Sequence, residues 1–149
     1  AAKQVVTYCI RNDIGTLIVG YNTTFQRSSD LGRRMNQVFV GIPFGILRRK
    51  LKYLCEMNGI RYVEQEESYT SMASFWDLDE MPVYGEAGLV PPVFSGRRIC
   101  RGLYQDRSGR RINADVNGAL NIMRKCNIVS LRALYARGDV DTPVRIRIA

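Results

Sequence analysis

The chain has 149 residues, of which 46% are hydrophobic and 24% are charged, as is typical of one soluble globular domain. Twenty-two Lys and Arg against fourteen Asp and Glu give a net charge of +8, so we expect an anionic partner, most simply nucleic acid. No apolar run approaches the length of a bilayer span, and the first residues lack the apolar core of a signal peptide. We therefore expect no membrane partner.

The cysteine and histidine content restricts the chemistry further. The chain has no histidine, and Cys9, Cys55, Cys100 and Cys126 lie far apart without a CxxC pair. A Cys/His zinc site and a Ser/His or Cys/His nucleophile are therefore excluded. All but Cys100 fall within apolar helical patterns, where a reduced cysteine acts as a small core residue. This pattern indicates a reducing, cytoplasmic compartment.

The first half of the chain predicts a helix followed by a strand, twice over. Residues 3–12 have helical apolar spacing, and the run at 15–22, "GTLIVGYN", is typical of a strand. A long basic loop is expected over 22–42. Residues 43–59 predict the clearest helix, with proline at its start and glycine at its end, and 60–66 predict the second strand. This order favours a layered α/β fold.

The second half is less regular. Periodicity disappears over 72–112, so we expect an irregular insertion or small subdomain there. Order returns at 113–126, "NADVNGALNIMRKC", where Asn113 is the candidate N-cap. The expected core face of this helix consists of Val116, Ala119, Leu120, Met123 and Cys126.

Carboxylates are the remaining candidates for catalysis. Glu64, Glu66 and Glu67 lie at the end of the second predicted strand, and Asp115 lies in the first turn of the later helix. Carboxylate oxygens are the ligands that Mg²⁺ prefers, and a pair of such ions can promote phosphodiester cleavage. A structural interpretation also stands, because aspartate is favoured at a helix start and glutamates are common at a solvated strand edge.

Several segments closely resemble a known family. "EESYTSMASFWDLDEMP" and "FSGRRICRGLYQDRSGRRINADVNGALNIMRK" resemble the C-terminal half of the TnpB (OrfB) family of transposon-encoded RNA-guided DNA nucleases, from which type V CRISPR effectors descend. The similarity covers nearly the whole chain, and the triplet at 69–71 and the run at 113–119 are its most specific parts. The resemblance implies a RuvC-like domain with an RNase H-like fold and a three-carboxylate site for Mg²⁺ or Mn²⁺. It also implies DNA and guide RNA as partners, and roles in transposition and DNA recombination.

The resemblance assigns roles to particular carboxylates. Asp115 matches the last catalytic aspartate of the family. The strand that usually carries the second acidic residue ends here in Gly-Tyr-Asn, so Glu67 is the implied substitute ligand, with Glu64 and Glu66 as alternatives. The first family aspartate lies on a strand upstream of this sequence. We therefore expect residues 1–149 to be a partial RuvC-like domain that lacks its first strands and is completed by the upstream part of the same nuclease.

The segment 72–112 occupies the position where many relatives insert a zinc ribbon built from two CxxC pairs. Only Cys100 lies in it, so we expect no zinc, and a degenerate ribbon held by aromatic side chains. We expect Trp76 to pack within the insertion rather than stack on a base. The candidate phosphate contacts are Arg97, Arg98, Arg101, Arg107, Arg110 and Arg111.

Three functional hypotheses follow. The first is that the chain is part of a Mg²⁺-dependent DNA endonuclease that cleaves under RNA guidance. The second is a catalytically incomplete fragment that binds nucleic acid through its arginines. The third is self-association through the sheet edge that missing strands would expose.

Overall fold

The computed structural model describes residues 1–22, 44–83, 92–140 and 143. The predicted loop at 22–42 lies almost wholly outside the described residues, as does nearly all of the basic C-terminal tail. The chain divides into two compact units, the first made mainly of residues 1–64 and the second mainly of residues 65–147.

The described residues of unit 1 form two helices and two strands, as the sequence predicts. They are α1 (Ala2–Arg11), β1 (Thr16–Tyr21), α2 (Phe44–Met57) and β2 (Arg61–Glu66), whose last two residues belong to unit 2. β1 pairs with β2, and α1 packs against α2. Gly59, predicted to end α2, has a φ of 67°, a left-handed conformation that glycine adopts without strain.

The core of unit 1 is apolar. Its buried residues come from both helices and from the residue just before β2: Ala2, Val6, Cys9, Leu51, Cys55 and Ile60. Burial raises the pKa of the Cys9 and Cys55 thiols, so both stay protonated and behave as small core residues. All four cysteines are free.

Unit 2 corrects the expectation of an irregular segment at 72–112 only in part, because the described residues from 72 to 96 contain no helix or strand, whereas strands begin at Arg97. The chain forms an antiparallel three-stranded sheet of β3 (Arg97–Cys100), β4 (Leu103–Gln105) and β5 (Arg111–Asn113), in the order β3-β4-β5. Strands of three or four residues are too short for a period-2 pattern to be visible. All four residues of β3 are also exposed, so its sequence does not alternate between buried apolar and exposed polar side chains.

The described residues of unit 2 also form two helices, namely α3 (Ala114–Cys126) and the short α4 (Arg132–Arg137). The core of unit 2 includes two aromatic side chains of the 72–112 segment, because Phe75 and Tyr104 are 0% and 1% exposed. Tyr135 stacks on Phe75 with ring centroids 4.8 Å apart. A Cβ at Gly96 would lie 2.5 Å from the Tyr104 hydroxyl, so only glycine fits beside this buried ring.

The buried face of α3 differs from the predicted stripe. Ala119 is exposed, whereas Asn117 and Asn121 are fully buried. Apolar periodicity places the two asparagines at the margin of the stripe. It carries no information about polar side chains whose hydrogen-bond partners lie in a distant segment of the chain.

The larger architecture stays a prediction. Within the described ranges the strands form two small sheets, and an RNase H-like layered sheet is a wider arrangement than either. The single RuvC-like domain over 1–149, with 72–112 inserted, likewise stays a prediction. None of the described helices is long and apolar enough to cross a membrane.

Candidate functional site

The Glu64 carboxylate has local partners in unit 1. Tyr62 donates its hydroxyl proton to Glu64 Oε1 at 2.9 Å, and Arg48 pairs with Glu64 Oε2 at 3.2 Å. The Arg48 guanidinium also lies 5.6 Å from the centre of the Tyr21 ring. Burial and then the hydrogen bond to Glu64 raise the Tyr62 pKa, which keeps its hydroxyl a donor. These contacts give Glu64 a structural role.

Glu66, two residues further along β2, is held by different groups in unit 2. Lys125 Nζ lies 2.5 Å from Glu66 Oε2, and the Ser68 backbone N–H donates to Glu66 Oε1 at 2.6 Å. Burial acts to raise the pKa of Glu66, but the hydrogen bonds from Lys125 and Ser68 outweigh it and hold the pKa below its usual range. Glu66 is therefore ionised and already neutralised by a cation of the same unit.

Glu67 is the exception among the three glutamates. It is half-buried, and in the described part of the chain its carboxylate has neither a hydrogen-bond donor nor a cation as partner. Burial, and then the negative charge of Glu66, raise the pKa of Glu67. A bound cation would stabilise the ionised form of such an unpaired carboxylate more than that of a carboxylate that already has a partner.

Asp115 has the position that the sequence predicts. The Asn113 side chain caps α3 by accepting from the backbone N–H groups of Asp115 at 2.9 Å and Val116 at 3.1 Å. Asp115 is exposed in the first turn, where the helix dipole stabilises its negative charge. Its carboxylate is thus accessible to a ligand and fixed to a well-capped helix end.

Two buried asparagines tie the segment after Glu67 to α3. Asn117 donates to the Ala73 carbonyl at 2.8 Å and accepts from the Phe75 N–H at 3.1 Å. Asn121 donates to the carbonyls of Thr70 at 2.9 Å and Ala73 at 2.8 Å. The segment and the helix are therefore joined by four buried hydrogen bonds, which link Thr70, Ala73 and Phe75 to Asn117 and Asn121.

Neither asparagine belongs to the core face that the sequence predicts. Asparagine has a low propensity for a helix interior, so two of them four residues apart in an apolar helix were the available signal. The turn they hold includes Tyr69, whose φ of 64° is unusual for a residue other than glycine. The Tyr69 ring lies 5.8 Å from that of Phe94. The triplet at 69–71 therefore has a structural role as a turn.

The donor types of Glu67 and Asp115 fit a hard divalent cation. Both residues belong to unit 2, and the asparagine contacts join the segment that follows Glu67 to the helix that begins beside Asp115. Across residues 1–22, 44–83, 92–140 and 143, however, no group of three or more His, Cys, Asp or Glu side chains could hold a metal ion. The described residues therefore offer two candidate ligands rather than a complete three-carboxylate set.

A polar cluster lies within the predicted insertion at 72–112. Asp77 Oδ2 accepts from the Ser95 hydroxyl at 2.9 Å and from the Arg107 N–H at 3.0 Å. Asp79 Oδ2 accepts from the backbone N–H groups of Ser74 at 2.7 Å and Ser95 at 3.0 Å. We call these five residues the carboxylate node. Its hydrogen bonds join three separate segments, the task that a structural metal performs in a ribbon.

The charges of the node affect its neighbours. Burial acts to raise the pKa of Asp77, but the hydrogen bonds from Arg107, Ser74 and Ser95 lower it below its usual range. Burial, followed by the charges of Asp79, Asp77 and Asp106, raises the pKa of Tyr104 to about 12. The node is therefore anionic, and Tyr104 stays a neutral donor to the Met72 carbonyl at 2.9 Å.

The predicted phosphate-binding arginines lie on or next to the three-stranded sheet. Arg97, Arg98, Arg101, Arg107, Arg110 and Arg111 are all exposed. Exposed arginines on an edge strand can also serve to block aggregation, so their exposure alone does not establish a binding surface.

Among these arginines, Arg110 is the most constrained. Its Nη1 donates to the Gly138 carbonyl at 3.1 Å, its Nε lies 3.7 Å from Asp106 Oδ2, and its guanidinium lies 4.6 Å from the centre of the Trp76 ring. Trp76 packs on Phe75 and Tyr135 with centroid distances of 5.2 Å and 6.0 Å, as expected for a packing role.

The comparison with known families bears directly on this region. A family model described as Cas12f1-like, TNB domain, matches residues 44–122. The chain belongs to this family. The Cas12f1-like family is related to the RNA-guided nucleases of the TnpB and type V effector group, so that broader relationship is confirmed without a specific assignment to TnpB/OrfB. The matched range includes Glu67, the carboxylate node and Asp115. A comparison with curated proteins gave no match.

Proposed function

We propose that this chain is a nucleic-acid-binding part of an RNA-guided, Mg²⁺-dependent DNA endonuclease, in which Glu67 and Asp115 are two of the metal ligands. The observation that carries the proposal is the contrast among the glutamates: Glu64 and Glu66 have partners of their own, whereas Glu67 is half-buried without one. Membership of the Cas12f1-like family supports the nuclease relationship.

In this proposal each group has a defined part. Glu67 and Asp115 hold the cation, which when bound supplies the charge that activates water and stabilises the leaving oxygen. Asn117 and Asn121 fix the segment after Glu67 against α3. The exposed arginines of the sheet neutralise the phosphates of the bound strand.

A metal titration tests the proposal. Mn²⁺ is titrated into the unmodified chain, Glu67→Gln and Asp115→Asn, and binding is followed by calorimetry and paramagnetic broadening. We expect each variant to weaken binding by at least about tenfold, because each removes one of only two charged ligands. Glu80→Gln, which alters an exposed carboxylate of the same unit, is the matched control and should leave binding unchanged.

The Glu67 variant has a second readout. Because the folded-state pKa of Glu67 is raised, ionisation costs stability as the pH rises above the ordinary glutamate pKa of 4.5. Glu67→Gln should therefore unfold at a slightly higher temperature at pH 7 without metal while binding Mn²⁺ less tightly. Loss of stability together with unchanged Mn²⁺ affinity would assign Glu67 a structural role.

The second candidate function is nucleic-acid binding without catalysis. It is favoured by the absence, among the described residues, of any group of three potential metal ligands. Oligonucleotide binding that persists in chelator, weakens steeply with salt and produces no cleavage in Mg²⁺ would support it. Self-association stays a third prediction, tested by gel filtration at several protein concentrations.

A further inference from the structure

A groove of about 500 Å³ in unit 2 combines apolar, aromatic and cationic groups. Leu103, Ile112 and Val116 provide apolar side chains, and Trp76, Arg110 and Arg111 also line it. Its volume lies in the range of small-ligand sites. Its acidic lining residue, Asp139, is paired with Arg137 at 2.7 Å, so that charge is already compensated.

Arg110 and Trp76 form a rigid planar surface in this groove. Asp106, the Gly138 carbonyl and the Trp76 ring hold the guanidinium in place, yet the Arg110 side chain remains 45% exposed. A guanidinium held in one orientation has already lost most of the rotamer freedom that binding would otherwise cost. Trp76 itself is held by Phe75 and Tyr135.

These features match one chemical class of ligand, a planar ring joined to an anion. A nucleobase can stack on the face of an arginine or an aromatic ring regardless of its sequence. Arg111, exposed next to Arg110 along the chain, is available to a phosphate. The net charge of +8 attracts the polyanion to which such a nucleotide belongs.

We propose that this groove binds one unpaired nucleotide of a single-stranded nucleic acid, with its base stacked on the Arg110–Trp76 pair and its phosphate on Arg111. This inference rests on the proposed function, since it specifies how this unit contacts nucleic acid. Trp76 then has two roles, packing against Phe75 and Tyr135 and supporting the stacked base.

The single tryptophan of the chain makes the test direct, because all tryptophan fluorescence comes from Trp76. The unmodified chain is titrated with end-labelled 12-nucleotide single strands of DNA and of RNA, and with an abasic strand of the same length. Anisotropy of the label measures binding, and Trp76 emission measures contact with the groove. The DNA and RNA arms identify which strand the groove prefers.

We expect the base-containing strand to quench Trp76 and to bind about tenfold more tightly than the abasic strand, which keeps the phosphates and lacks the stacking. Arg110→Lys keeps the charge and removes the planar face, so it should abolish this tenfold preference. Arg132→Lys, the same change at an exposed arginine of α4, should leave the preference intact. Circular dichroism checks that both variants are folded.

The two proposals fail in different ways. Strands that bind equally well with and without bases, and leave Trp76 emission unchanged, overturn the groove proposal while nucleic-acid binding stands. Absence of any anisotropy change overturns nucleic-acid binding, and the groove proposal with it. The comparison of the two strands needs no variant, so it holds even if Arg110→Lys unfolds.

Discussion

The two units of this chain are stabilised in different ways. Unit 1 has an apolar core in which Val6 and Leu51 come from two helices and Ile60 from the residue before β2. Unit 2 also has an aromatic core, but two buried asparagines and a carboxylate node join its segments. An apolar core tolerates exchange of one hydrophobic side chain for another, whereas a buried polar network requires every partner. The candidate metal ligands and the residues that line the groove all belong to unit 2.

The largest expected effect is at Asn117. Asn117→Leu preserves the approximate size of the side chain but leaves the buried Phe75 N–H without a partner and removes one of two donors to the Ala73 carbonyl. We expect a loss of about 2–4 kcal/mol in the free energy of unfolding. Urea unfolding followed by Trp76 fluorescence measures it, because Trp76 belongs to unit 2.

The matched change in unit 1 is Leu51→Met, which exchanges one apolar side chain for another of similar volume at a site 5% exposed. It should cost less than about 1.5 kcal/mol, as measured by urea unfolding followed by far-UV circular dichroism. If Asn117→Leu costs no more than Leu51→Met, the proposed difference between the two cores is wrong.

The next effect concerns the carboxylate node and pH. Because the folded-state pKa of Asp77 is lowered, the stability it contributes is present above its unfolded value near 3.8 and is lost as the pH falls through the folded value. Asp77→Asn should cost about 1–3 kcal/mol at pH 7 and reduce the loss of stability below about pH 5. Thermal unfolding across pH measures both.

A matched control and a chelator sharpen this second test. Glu56→Gln, at an exposed carboxylate of α2, should change stability by less than about 0.5 kcal/mol. Because hydrogen bonds hold the node, EDTA should not shift the unfolding midpoint of the unmodified chain. A marked drop in EDTA would show that a metal ion contributes to the fold of unit 2.

The smallest effects compare two glutamates of β2. The Glu64 and Arg48 side chains are 38% and 33% exposed, so Glu64→Gln should cost less than about 1 kcal/mol. The Glu66 and Lys125 side chains are only 20% and 11% exposed, so Glu66→Gln should cost more, about 1–3 kcal/mol. Urea unfolding of the two variants side by side tests the order, and a larger cost for Glu64→Gln would contradict it.

Sequence patterns predicted the elements whose signals are local. The helix spacing of α1 and α2, the glycine at 59 and the Asn113 cap are confirmed because each depends on neighbouring residues alone. The motifs at 69–71 and 113–119 likewise led to the correct broader family. The same patterns failed at β3 to β5, where the strands are short and the outer strand is fully exposed.

What the sequence by itself determined is the class of the chain: a basic α/β protein without histidine, related to RNA-guided nucleases, with glutamates beside a strand end and Asp115 at a helix start. Only the tertiary structure gave Glu64 and Glu66 partners of their own, turned Asn117 and Asn121 inward, and brought Arg110 over Trp76. The physical reason is the same in each case. Whether a polar side chain is paired, buried or free depends on groups that are distant along the chain, and periodicity carries no information about such partners.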